Sequence, residues 1–178
     1  MNAHINMTII DTETTGLDEN RHCMVSLGAV GNETGDEFYQ ECRIYPESEV
    51  DDFALGVNGF TREQINDPTK PWPHEVLASF IEWSVGREPL LGGQQVGSFD
   101  IKFLKVLIPR IAAKWPWGHR SVDLHSVSYA ILGKSLSLDG ILTAVGLSPE
   151  PKPHHALNGA RLERDAFKRL LGAPGWKS

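Results

Sequence analysis

The stretch Met7-Thr8-Ile9-Ile10-Asp11-Thr12-Glu13-Thr14-Thr15-Gly16-Leu17 decides the reading of this chain. Its first four residues form the apolar run of a buried strand, ending at Asp11. Side chains alternate across a strand, so Asp11 and Glu13, two apart, project from one face. Two carboxylates held so close repel unless they are protonated or share a cation. Hard divalent ions such as magnesium take oxygen ligands of this kind. Gly16 gives the chain room to turn closely beneath a bound group. The plainer account, that Asp11 ends a strand and caps the next turn, suits a bare Asp-x-Glu but leaves the rest of the segment to Leu17 unexplained.

Working outward, Met24–Val30 reads as a second strand and Glu37–Tyr45 as a third, with Phe38-Tyr39 and Ile44-Tyr45 as its apolar parts. The turn-rich Gly31–Gly35 between them predicts a hairpin. From His74 to Val85 the period changes: Val76, Leu77, Phe80, Ile81 and Val85 fall at helical spacing, with Pro73 at the start. Pro89–Val96 suggests a short buried strand and loop. A long helix is expected from near Phe99, burying Phe103, Leu104 and Leu107 until Pro109 bends or breaks it. Ser121–Leu124 reads as a short strand or junction, followed by helices at Ser126–Leu132, Leu138–Val145 and Leu157–Leu171. The last should bury Leu162, Ala166, Phe167 and Leu170. Early strands followed by alternating helices and strands predict an α/β fold, a mixed β-sheet flanked by α-helices.

The 178 residues suit one domain with a sizeable core. A net charge of −6 argues against coating duplex DNA by bulk electrostatics. It leaves room for nucleic acid at a local site, since carboxylates that bind cations face positive charge in use. Cys23 and Cys42 give neither a CxxC spacing nor a disulfide framework. No apolar run approaches the roughly 20 residues that span a bilayer, and the first residues lack a secretory pattern. A cytoplasmic protein with no membrane partner is the expectation.

Two further segments carry chemistry. Asp100, in Ser98-Phe99-Asp100-Ile101-Lys102-Phe103-Leu104, stands at an expected helix N-terminus after Gly92-Gly93 and Gly97. A first-turn acid is favoured there by the helix dipole alone, so the segment by itself leaves both accounts open. His154-His155-Ala156-Leu157-Asn158-Gly159-Ala160 opens the last helix, where a histidine is a surface, core or acid–base group.

Together and in this order, the three segments resemble the DEDDh family of 3′→5′ exonucleases, which includes polymerase proofreading subunits, RNase T and oligoribonuclease. The family's motifs are D-x-E-T-T-G, a centre of F-D-x-x-F-L, and H-x-A-x-x-D-A. Asp11, Glu13, Asp100 and His154 match them directly. Val57–Glu63 is similar to a family segment that precedes a helix, and Asp123 stands where the family commonly has an aspartate after a strand. The resemblance runs from about Thr8 to Leu171. It implies a ribonuclease H-like fold with two divalent ions, Mg2+ or Mn2+, held by carboxylates at the sheet's edge. It also implies His154 as general base, and a terminal nucleotide held by Thr14, Thr15, Gly16, Leu17 and Phe99, with Leu17 stacking on the base whatever its identity. The implied partner is the 3′ end of single-stranded DNA or RNA; several members are dimers, so a homodimer is a further possible partner.

Two departures stand out. Gln94-Gln95-Val96 replaces a histidine–asparagine pair often found upstream of F-D. The family's fourth acid falls five residues after the histidine, and that position is Gly159. Glu163, one helical turn on, leans back over position 159, because helical side chains tilt toward the N-terminus. Relocation of the fourth ligand to Glu163 is therefore expected; Asp165 lies further round the helix. The competing account makes Glu163 a solvated surface acid. Two rival functions follow: a degenerate domain that binds strand ends without cutting, and a metal-dependent phosphodiesterase acting on small nucleotides.

Overall fold

The computed structural model describes residues 6–172. Five strands, β1 (Thr8–Thr14), β2 (Met24–Gly31), β3 (Glu37–Glu41), β4 (Leu91–Gly93) and β5 (Ser121–Asp123), form one sheet in the order β3-β2-β1-β4-β5. β1 pairs antiparallel with β2, and β2 with β3, while β4 and β5 add in parallel. The sheet is therefore mixed, as expected, with β1 at its centre. The predicted hairpin is the β2–β3 pair. The strand carrying Asp11 does not end there: β1 runs on to Thr14, with a register irregularity after Glu13. Both acids thus lie inside a central strand, fixed by its ladder with β2.

The helices are α1 (Asp52–Asn58), α2 (Arg62–Ile65), α3 (Pro73–Ser84), α4 (Asp100–Lys105), α5 (Leu124–Leu132), α6 (Leu138–Ala144) and α7 (Ala156–Gly172). Val76, Leu77 and Phe80 of α3 enter the core on one side of the sheet with Phe103's neighbour Leu104 and with Leu107. Ala166, Phe167 and Leu170 of α7 join Met7, Ile9 and Val30 on the other.

Four further sequence expectations give way. β3 stops at Glu41, because the amides of Arg43 and Ile44 donate to Pro71 and Ile65 carbonyls instead of to a strand. Val85 ends α3 and is 73% exposed. The long helix from Phe99 is only six residues, followed by a single 3-10 turn at Ile108–Arg110 that accommodates Pro109. Leu162 is only partly buried, at the margin of the core under α7. The short helix α1 was not expected, whereas α2 starts within the family-like segment Val57–Glu63 that precedes a helix. α1 ends on Gly59 in the left-handed conformation, and Thr61 caps α2 with a reciprocal Gln64 bond.

One close approach positions the site. A β-carbon on Gly28, the residue paired with Asp11, would come within 2.3 Å of the Ala156 backbone. The missing side chain lets the start of α7 lie directly on the sheet, beside β1.

Candidate active site

A cleft of about 310 Å³ opens where β1, α1, α4 and the start of α7 meet. Asp11, Glu13, Asp100, His154 and Glu163, far apart in sequence, all line it. Thr14, Gly16, Leu17 and Phe99 line it too. Thr15 does not: it is fully buried, its hydroxyl donating to the Glu49 carbonyl and accepting from the Cys23 amide. Gly16 permits a different approach from the one expected, since a β-carbon there would strike the His22 ring at 2.2 Å. Leu17 stands 81% exposed at the rim, with Phe53 of α1, 79% exposed, also lining the cleft.

Each acid is placed by a different device. Asp100 heads α4, and its Oδ1 accepts two hydrogen bonds from Thr12 of β1, from the amide at 2.9 Å and the hydroxyl at 2.7 Å. Asp11 and Glu13 leave the same face of β1, as the strand period requires. Glu163 is 3% exposed, so the surface account is wrong; its Oε2 accepts the Gln94 amide at 3.0 Å. His154 faces the cleft while its neighbour turns away: the His155 ring stacks on Tyr39 at 4.3 Å. The His154 amide donates to the Val57 carbonyl, fastening this segment to the end of α1.

Sequence reasoning missed Glu150. It lines the same cleft, is 8% exposed, and its Oε2 lies 3.6 Å from His154 Nδ1. Its only signal was an acid between two prolines, four residues before the histidine. Asn58 was missed as well; its side chain donates to the Thr14 carbonyl, tying α1 to the end of β1.

The electrostatics follow from this crowding. Burial, with added repulsion from Glu150 and Asp100, pushes Glu13 up to about 7. Burial also raises Asp100 to about 7, against the two Thr12 hydrogen bonds that favour its charged form. Asp11 is held well above the usual carboxylate range, by burial first and then by the charges of Glu163, Asp100, Glu13 and Glu150. Glu163 is raised likewise by burial and by Asp100, and Glu150 by burial. Among the described residues no Lys or Arg lines the cleft. Four buried carboxylates and the partly buried Asp11, without a cationic side chain, are a donor set that fits hard divalent ions. The ligand atoms of Glu13, Glu150 and His154 already lie within 4.8 Å of one another.

The structure also bears on the missing acid. A β-carbon on Gly159 would stand 2.0 Å from Asp11 Oδ2 and 3.4 Å from Glu150 Oε1, and no Glu163 atom comes nearer than these. The carboxylate of Asp11 occupies the space that a side chain at 159 would take.

Residues 8–163 match the family model described as Exonuclease, that of RNase T. The chain is 28% identical over 167 residues to the PolC-type DNA polymerase III of Thermotoga maritima, covering 92% of this chain and 12% of that protein. It is 28% identical over 174 residues to the DNA polymerase III subunit epsilon of Rickettsia typhi, covering 92% and 73% of the two chains. This chain therefore spans only a small part of the PolC-type relative. Its fold superposes on the nuclease domain of 3′hExo, a DEDDh family member bound to rAMP, with a TM-score of 0.77 at 18% identity, over 97% of this chain and 94% of that one. Exonuclease I of E. coli, in complex with an oligonucleotide, gives a TM-score of 0.78 at 16% identity, over 95% and 41%. The ribonuclease H-like fold is thus the observed one, and the carboxylate cleft lies where the three sequence segments converge. This chain belongs to the exonuclease family of RNase T.

Proposed function

We propose that this protein removes nucleotides one at a time from the 3′ end of single-stranded DNA or RNA, with two divalent ions, Mg2+ or Mn2+. The observation that carries the reading is the convergence of four buried carboxylates, the partly buried Asp11 and one histidine in a single cleft lined by no Lys or Arg among the described residues. Asp11, Glu13, Asp100 and Glu163 hold the ions. When bound, such ions activate water and stabilise charge on the reacting phosphate. The protein's own groups do the rest. Asp100, fixed by Thr12, keeps the acids on β1 and α4 in one geometry. His154 takes a proton from the attacking water at its imidazole nitrogen, the work of a general base. Thr14, Gly16 and Phe99 form the floor and wall for the terminal nucleotide, while Leu17 at the rim packs on its base. Apolar stacking of that kind ignores base identity. The relatives support the choice of polymer: Exonuclease I is found with DNA oligonucleotides, and another neighbour recognises the 3′ end of a histone mRNA stem-loop.

A second reading has one observation in its favour. Gly159 stands where the family carries its fourth acid, so a domain that grips strand ends without cutting them is the alternative. A panel of 5′-labelled single-stranded DNA and RNA, with Mg2+, Mn2+ or chelator, decides between them. Metal-dependent ladders shortening from the 3′ end are expected. Tight binding of the same strands without shortening, in either metal, selects the second reading.

A further inference from the structure

We propose that Glu150 supplies, from the loop ahead of α7, the carboxylate that position 159 lacks, holding a divalent ion together with Asp11 and Glu13. The inference rests on the exonuclease reading above and adds a ligand to it. Three observations carry it. First, Glu150 is the acid nearest to position 159 after Asp11: outside Asp11 and the helix's own backbone, the atom closest to a β-carbon built on Gly159 is Glu150 Oε1, at 3.4 Å. Second, Glu150 belongs to the one trio of acid and histidine ligand atoms among the described residues that closes within 4.8 Å, with Glu13 and His154. Third, Glu163, the acid the helical period singles out, is drawn elsewhere. Its Oε2 takes the Gln94 amide and lies 3.1 Å from the β-carbon position of Gly93, on the β4 side.

The loop is not a loose one. The Glu150 amide donates to Asp139 Oδ1 at 3.1 Å, tying the loop to the first turn of α6. Pro153 packs over Gly59, where a β-carbon would meet it at 2.6 Å. The amide of His154 is bonded to Val57. With both ends pinned, the side chain of Glu150, 5% exposed, points into the cleft and not to solvent. The loss of an acid on α7 is thereby matched by an acid entering from nine residues earlier, while Glu163 serves the end of the cleft near Asp100. A simpler role is available: at 3.6 Å from His154 Nδ1, Glu150 is also placed to orient that imidazole. The two roles separate experimentally, because an orienting group leaves metal affinity alone.

The test is Mn2+ binding without substrate, followed by electron paramagnetic resonance, on wild type, Glu150→Gln, Glu163→Gln and Asp11→Ala. Glu150→Gln is expected to weaken Mn2+ uptake at one site at least tenfold, to keep its circular dichroism spectrum, and to recover cleavage of a labelled strand as Mn2+ is raised. A Glu150→Gln protein that titrates like wild type, with only its pH–rate profile moved, overturns the proposal in favour of orientation of His154. A wild-type protein that cuts strands while Glu150→Gln binds Mn2+ normally defeats Glu150 alone. A wild-type protein that neither binds Mn2+ nor cuts defeats the exonuclease reading and Glu150 with it. If Glu150→Gln does not fold, Mn2+-soaked wild-type crystals give the same answer: a Glu150 oxygen within about 2.0–2.4 Å of an ion supports the assignment, and one beyond coordination distance overturns it.

Discussion

At one end of the cleft Asp100 stands on the first turn of α4, with both a main-chain and a side-chain donor from the central strand on the same oxygen. At the other end Glu150 comes from a loop, and the amide of His155 reaches its Oε1 only at a long 3.5 Å. The Asp100 end is preformed: its geometry follows from the pairing of β1 with its neighbours and holds whatever occupies the cleft. The Glu13–Glu150–His154 end is gathered from a strand and a loop whose backbone is tied down, with the Glu150 carboxylate itself held only by that long bond. The contrast teaches that one acidic cleft joins a rigid half set by the sheet to a softer half set by loop contacts. Asp11 feels the charges of both halves, and its carboxylate fills the space beside Gly159.

Removing the shared member should have the largest effect. Asp11→Ala is expected to abolish cleavage at either metal while leaving the fold intact, measured with a 5′-labelled strand and by circular dichroism. The same variant should be more stable than wild type in chelator, because it removes repulsion among buried acids. The sign in pH can be worked out. Glu13 and Asp100 have folded values near 7, above the ordinary values they regain on unfolding. The unfolded chain therefore releases their protons first, so metal-free stability is highest below about pH 4 as far as these groups decide it, and falls as pH rises toward 7. Thermal melts in chelator from pH 5 to pH 7.5 should decline, and saturating Mn2+ should reverse the decline by mass action. Melting points that rise over this range in chelator would mean that the two acids are already paired with cations of the protein.

The two histidines sharpen the comparison at the softer end. His154→Ala should lower kcat by about 10²–10⁴-fold, the range for loss of a general base, with Mn2+ binding retained. His155→Ala should cost far less, since His155 packs on Tyr39 and not in the cleft. A larger loss in His155→Ala than in His154→Ala would reverse their assigned roles.

The middle of the cleft is tested by Gly159→Ala. Its methyl group would stand 2.0 Å from Asp11 Oδ2, so the shared carboxylate has to swing aside. A displacement near 1 Å at a reacting centre costs about 10²-fold, and that loss is expected in kcat/KM without loss of fold. It also revises the simplest repair: Gly159→Asp would return the family's acid at the expense of Asp11's position. Wild-type rates in Gly159→Ala would show that Asp11 has a second, equally good rotamer.

What the sequence revealed follows the same division. A strand's period of two put Asp11 and Glu13 on one face and a helix start after glycines placed Asp100, both local signals, but it was the order of the three segments, through the family resemblance, that singled these acids out. The gap at Gly159 came from the family resemblance and the candidacy of Glu163 from helical periodicity; Glu163 does line the cleft, but its carboxylate lies toward Gly93 and not over position 159. Glu150 was invisible, because its location depends on how a proline-rich loop is tied to α6 and to the end of α1, contacts no local pattern encodes. The over-long helix at Phe99 has a similar origin: Phe103, Leu104 and Leu107 keep helical spacing, but the chain tightens into a 3-10 turn around Pro109. Val85 shows the converse, an apolar residue in phase with its helix yet left exposed at the cap.

The smallest effect is expected at the rigid end, from Thr12→Val. Valine keeps the shape of threonine and the main-chain donor at 2.9 Å, and removes only the hydroxyl that donates to Asp100 Oδ1 at 2.7 Å. A hydrogen bond to a charged group contributes about 1.5–3 kcal/mol, and with one donor left in place the lower end applies. That corresponds to roughly tenfold weaker function when the carboxylate must be ionised to hold metal. The loss should appear at limiting Mn2+ and fade at saturating Mn2+, because the ion itself then fixes Asp100. Thr12→Ser, which keeps the hydroxyl, should behave nearly as wild type. If Thr12→Val matches wild type even at limiting metal, the Thr12 amide and α4 suffice to hold Asp100, and the hydroxyl contributes nothing.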